Sequence, residues 1–148
     1  MIFSAEQLFS DDQVITVSAD STNVIDLGVP VTPYDAKTNL NQDIGKGNKV
    51  PLLVQVTEDF AAGTSGAGTL TVNISKGSAA SLGTTVVSVG PIGEADLVAG
   101  YQIPIEVLPN QIDERYLGIE YVVASGPMTA GKVTAGITMG NQTNITGA

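Results

Sequence analysis

Thr69-Leu70-Thr71-Val72-Asn73-Ile74-Ser75 decides the fold, because its apolar residues recur at every second position with hydroxyls and an amide between them. Successive side chains of a strand point to opposite faces, so Leu70, Val72 and Ile74 share a buried face while Thr71, Asn73 and Ser75 face water. The same alternation recurs in Leu117, Ile119, Tyr121 and Val123, in Val133, Ala135, Ile137 and Met139, and in Tyr101-Gln102-Ile103-Pro104-Ile105-Glu106-Val107. Pro104 has no N–H to give a ladder, so that last run is expected at an edge or at a bulge. Val50-Pro51-Leu52-Leu53-Val54-Gln55-Val56 is almost continuously apolar, the pattern of a central strand covered on both faces.

Working outward, eight runs read as strands: Gln13–Ser18, Asn23–Gly28, Lys49–Glu58, Gly68–Lys76, Thr84–Val89, Leu97–Val107, Arg115–Ala124 and Lys132–Met139. Turn-forming Gly, Pro, Asn and Asp separate them. The expectation is an all-β, jelly-roll-like β-sandwich of about eight antiparallel strands in a single domain spanning residues 1–148. The same composition suits an immunoglobulin-like sandwich. The one helical signal is Ser4 with Gln7, the spacing of a weak capping box, ending by Ser10-Asp11-Asp12. Residues 1–12 read as an N-terminal arm and 140–148, polar and small, as a flexible tail that either frays or reaches a partner. Val29–Asn48, Ala61–Ala67 and Gly90–Ala95 read as loops. The first exceeds the ~12–15 residues beyond which structureless connections are uncommon, so it carries function or hides a short strand.

At 148 residues with 43% apolar and 14% charged side chains, one core is within reach and disorder is excluded. No apolar run approaches the ~20 residues of a membrane span, and the first residues lack the basic start of a signal peptide. A soluble, unprocessed chain is expected. There is no cysteine, hence no disulfide, and the Asn-x-Ser/Thr sequons at Asn73, Asn141 and Asn144 are expected by chance in a chain rich in Ser and Thr. Fifteen acids against six bases give a net charge of −9, which repels nucleic acid and steers a partner with basic patches inward.

Catalytic chemistry has little to work with. The absence of both His and Cys removes Ser-His-Asp and Cys-His nucleophiles, most zinc sites and the usual general base near neutral pH. Two acids can hydrolyse a glycoside, but Asp11-Asp12, Glu58-Asp59 and Asp113-Glu114 are adjacent pairs near strand ends. Neighbours on a strand point apart, so these read as solvated turn residues. Carbohydrate platforms need aromatics, and the chain has no Trp; Tyr121 has an inward phase, and Tyr116, on the opposite one, is either an exposed contact or a half-buried sheet residue, the second being expected. Gly45-Lys46-Gly47 lacks the phosphate-loop spacing and reads as a turn, and Asp35, Asp43, Glu94 and Asp96 match no calcium-loop pattern. Neither an enzyme nor a cofactor is expected.

Five segments nevertheless form an ordered likeness: Asn23-Val24-Ile25-Asp26-Leu27-Gly28; Gly45-Lys46-Gly47; Leu53-Val54-Gln55-Val56-Thr57-Glu58-Asp59-Phe60; Arg115-Tyr116-Leu117-Gly118; and Thr129-Ala130-Gly131-Lys132-Val133-Thr134-Ala135-Gly136. Together they resemble the Bordetella-phage type of capsid cement, or decoration, protein of tailed bacteriophages. That resemblance implies a jelly roll, a homo-oligomer (dimer or trimer), and attachment to the major capsid protein on the outer surface of the virion after synthesis in the bacterial host cytoplasm. It implies neither nucleic acid nor membrane as partner, and it transfers no catalytic residue. The alternative is another structural virion or surface-binding β domain, such as a tail, fibre or adhesin module. Candidate contacts with the capsid or a neighbouring subunit are Phe3, Leu8 and Phe9, which either reach a partner or fold back over the sandwich. Tyr34, Lys46 and Lys49 join them, in a loop that is either an interface or simply solvated.

Overall fold

Period-two alternation carries over into the folded chain. The computed structural model describes residues 3–29, 49–63, 68–110 and 112–139. Among them the strands are β1 (Phe3–Val14), β2 (Ala19–Asp20), β3 (Ile25–Asp26), β4 (Leu52–Ala62), β5 (Thr69–Gly77), β6 (Thr84–Gly93), β7 (Tyr116–Ala124) and β8 (Met128–Thr138). The one helical element described is a single 3-10 turn at Glu94–Asp96. No helix among the described residues is long and apolar enough to cross a membrane.

Two antiparallel sheets face each other as a β-sandwich. The first has the order β1-β8-β4; the second has the order β2-β7-β5-β6, with β3 also on β7. Leu70, Val72 and Ile74 on β5 and Leu117, Ile119 and Tyr121 on β7 are buried against Leu52, Val54 and Val56 of β4 and Val133 and Ala135 of β8. Removing this apolar area from water, at about 25 cal/mol per Å², is the main force holding the sheets together. A buried polar bridge crosses the same space: Ser10 Oγ on β1 and Tyr121 Oη on β7 lie 2.8 Å apart, and Ser10 also donates to Gln13 Oε1 at 2.7 Å. Burial pushes the Tyr121 phenol well above its ordinary range, with the Ser10 bond pulling only partly back.

Several boundaries differ from the sequence expectation, each for a tertiary reason. The Ser4/Gln7 helical turn is not formed; residues 3–12, read as an arm, lie in β1, where pairing with β8 satisfies backbone groups that a lone helical turn leaves open. The strand read at Gln13–Ser18 is only the end of β1, which stops at Val14. Asn23–Gly28 is a strand only at Ile25–Asp26; β2 and β3 form one interrupted line along β7, broken where Ser21 Oγ accepts from Ile119 N and donates to Asn23 O. Two of the expected loops contain strand: β4 runs on to Ala62, and β6 continues through the cis Gly90-Pro91 bond to Gly93. Met139, assigned to an inward stripe, is 93% exposed because β8 ends at Thr138.

Leu97–Val107 forms no regular strand. The segment still lies along β4, exchanging hydrogen bonds from Phe60 N to Leu97 O, Val56 N to Tyr101 O, Ile103 N to Val54 O and Leu52 N to Glu106 O. Its regularity breaks at Pro104, where Ile105 N turns back to Ile103 O at 2.7 Å instead of continuing a ladder. β4 thus has hydrogen-bonding partners along both edges, and its apolar run is buried at Leu52, Leu53, Val54 and Val56, as expected of a central strand covered on both faces. The loop expected at Val29–Asn48 lies, from residue 30 to 48, outside the described residues.

Candidate binding surface

β1 shows how bulges sort the N-terminal apolar residues. Register shifts against β8 between Phe3 and Leu8 and between Leu8 and Ser10 break strict alternation. Phe9 then points between the sheets and is fully buried. Phe3 and Leu8 lie on the opposite, outer face and are half-buried over Gly136, where an added Cβ would stand 2.9 Å from Leu8 Cδ2 and 3.1 Å from Phe3 Cδ1. Of the three apolar residues near the start of the chain, Phe9 therefore closes the core, and Phe3 and Leu8 cover the outside of a sheet. Lys49 is exposed and makes no ion pair among the described residues; Tyr34 and Lys46 lie outside them.

Further along the same outer face a polar band crosses all three strands. Asp12, with φ of 49°, turns its carboxylate across β8 to accept from Thr57 Oγ1 on β4 at 2.5 Å, and its backbone N–H donates to Thr134 Oγ1 at 3.0 Å. Lys132 Nζ stands 2.7 Å from Glu58 and 4.0 Å from Asp12. Asp59 beside it accepts from Ala99 N at 2.6 Å.

Arg115 and Lys76 are also held by acids. Arg115 makes a two-pronged contact to Asp26, Nε at 2.8 Å and Nη2 at 2.6 Å, and stacks 5.0 Å from the centre of the Tyr116 ring. Lys76 bonds Asp113, with Glu114 at 4.0 Å. With three of the four described cations neutralised, the outward field belongs to acids such as Glu6, Asp11, Asp20, Asp96 and Glu106, all exposed.

The Arg115 fork, helped by the Gly28 N–H, lowers the Asp26 carboxyl from 3.8 to about 2. A carboxylate that titrates lower in the folded than in the unfolded chain stabilises the fold above its ordinary pKa, and this is lost as pH falls from about 4 toward 2. The urea midpoint of the wild type is expected to drop between pH 5 and pH 2.5 by more than that of Asp26→Asn; equal drops would show that the pair contributes nothing.

A cleft of about 580 Å³ opens at one end of the sandwich, lined by Val24, Ile25, Leu27, Val50, Leu108 and Ile137. Its charged lining residues among those described are Glu6 and Asp26, the latter already held by Arg115, so the described lining presents no free cation and no nucleophile. Among the described residues no cluster of three acids is placed to hold a metal.

The sheet edges differ in how they are finished, which neither composition nor periodicity could reveal. β1 carries Glu6, Asp11 and Asp12; β2 and β3 are two residues each; the segment along β4 carries Pro104 and Glu106. β6 is ten residues long, pairs among the described residues with β5 alone, and lies in a stretch with no charged residue between Lys76 and Glu94. Charges, prolines and short length are the usual means of blocking edge pairing, and β6 has one of them, Pro91 near its end.

Compared with known proteins, the chain matches a family model described as Bbp16 over residues 9–137. No curated protein matches it. The matched span runs from Phe9 in the core to Ile137 near the end of β8 and so takes in both sheets.

Proposed function

The chain belongs to the Bbp16 family, which is named after a Bordetella phage protein, and from that premise we propose that it is a non-catalytic structural protein of the virion that binds the outer surface of a tailed-phage capsid. The observation that carries this reading is the family match across both sheets, taken with the ordered resemblance to capsid cement proteins. Bound across a seam between major capsid subunits, it stabilises the shell because its binding free energy must be lost before the subunits can part. Copies associate with one another as well as with the shell. No turnover and no cofactor are needed for that work.

Electrostatics supports the same reading. With three of its four described cations paired, the surface shows mainly acids to an approaching partner, and a basic patch on a capsid subunit would be steered to it. The acid-rich end of the β1-β8-β4 sheet, with Asp11, Glu58 and Asp59 exposed, is the part best suited to that contact.

Purified protein mixed with shells lacking it should co-sediment in a fixed ratio to the major capsid protein; absence of binding at any ratio would reject the proposal. The combined variant Asp11→Asn, Glu58→Gln and Asp59→Asn is expected to bind about tenfold more weakly, since three exposed charges each contribute about 0.5 kcal/mol. Its binding should also depend less on salt. Unchanged affinity with unchanged salt dependence would place the contact on another face.

A further inference from the structure

We propose that the β6 edge is the surface through which two copies of this chain pair, strand to antiparallel strand, joining two β2-β7-β5-β6 sheets into one continuous sheet. The proposal rests on the reading of the protein as a self-associating shell component and assigns that association to residues.

Three observations favour a second copy over a basic partner strand. The chain carries −9, so two copies repel wherever their acids meet, and the stretch between Lys76 and Glu94 offers no acid to repel with. An edge built for a basic partner would carry acids, as β1 does; β6 has none. Lastly, an edge strand pairs antiparallel with its own copy about a two-fold axis and needs no second sequence to complement it.

The residues suit the task. Thr84-Thr85-Val86-Val87-Ser88-Val89 is rich in β-branched side chains, which fit a pleated surface. Thr84, Thr85, Val86 and Ser88 are exposed, while Val87 and Val89 pack partly against the core. Paired residues in an antiparallel ladder lie on the same face, so the join must set inward valines beside inward valines. A two-fold axis through Ser88 does this, placing Val87 of each copy beside Val89 of the other. Pro91, which has no N–H, marks where pairing ends.

Ser88 supplies the test, because it lies at the axis, is exposed, and faces away from the core beside Asn73. Sedimentation equilibrium of the purified full chain should show a dimer. Both Ser88→Lys and Ser88→Glu set like charges face to face and should weaken dimerisation about tenfold or more, with thermal unfolding unchanged at dilutions where wild type and variants are all monomeric. Mixing the two variants should restore a dimer containing one of each. Amide exchange at Thr84–Val89 should be slower in the wild-type dimer than in the monomeric variants. A wild-type monomer at high concentration, a dimer indifferent to both substitutions, or β6 amides protected only on capsid shells would each overturn the proposal. Co-sedimentation with shells reports separately on attachment: a variant that no longer dimerises but still binds shells leaves the capsid reading standing, and a dimer that never binds shells removes that reading alone.

Discussion

Gly131→Ala is expected to destabilise the protein by about 3 kcal/mol or more, enough to shift its urea midpoint far below that of the wild type. Two independent costs fall on this one position. Its φ of +134° lies where a residue bearing a Cβ is strained. A Cβ built there would also enter the van der Waals envelope of the Phe60 ring. Phe60 is a buried core residue on β4 and Gly131 lies on the paired strand β8, so the ring cannot yield without disturbing the sheet that both belong to. Retreat of Phe60 would drive its ring into the close-packed core on its other side. The double variant Gly131→Ala with Phe60→Leu should recover part of the loss; a single variant as stable as the wild type would show that the ring is not where packing places it.

Phe9→Ala should cost about 3–5 kcal/mol, the range for removing a fully buried aromatic side chain, whereas Phe3→Ala should cost much less, since Phe3 is only half-buried on the outer face. Equilibrium unfolding of the two variants gives the comparison directly. The contrast also bears on function. If Phe3 and Leu8 take part in a contact, their truncation should lower shell occupancy or self-association at nearly native stability, while Phe9→Ala should act through stability alone. Equal stability losses at Phe3 and Phe9 would mean that the bulges in β1 do not separate the two faces as described.

These predictions show where local pattern sufficed. Leu70, Val72 and Ile74, then Leu117, Ile119 and Tyr121, are inward because a strand alternates and because no charge interrupts the stripe; nothing distant is needed to know it. Val50–Val56 could be read as covered on both faces because side chains of both phases are apolar, and Leu52, Leu53, Val54 and Val56 are all buried. The same rule failed where pairing is irregular. A one-residue bulge reverses the phase of everything beyond it, so Phe3 and Phe9, which strict alternation sets on one face, lie on opposite ones. Asp12 shows the same limit: its sequence suggests a solvated turn, and only the bulged backbone carries its carboxylate across to Thr57.

Of the candidate surface, the acidic balance was legible and its distribution was not. Counting residues yields −9; it does not tell that Arg115, Lys76 and Lys132 are each held by carboxylates, because Asp26 and Arg115 are brought together by the pairing of β3 with β7. The β6 edge was likewise out of reach, since Thr84–Val89 reads as a strand whether it lies in the middle of a sheet or at its margin.

The sequence by itself determined an all-β chain, most of its core residues, the want of His and Cys for common catalytic chemistry, and an acidic surface, because each of these depends on residue type or on a two-residue period. Tertiary structure alone decided which strands end as edges, that β1 is a strand in place of a helical turn, that Phe9 turns inward and Phe3 outward, and that β6 has no second partner among the described residues. The reason is physical: alternation is written in neighbours along the chain, whereas an edge is defined by the absence of a pairing between segments far apart in it.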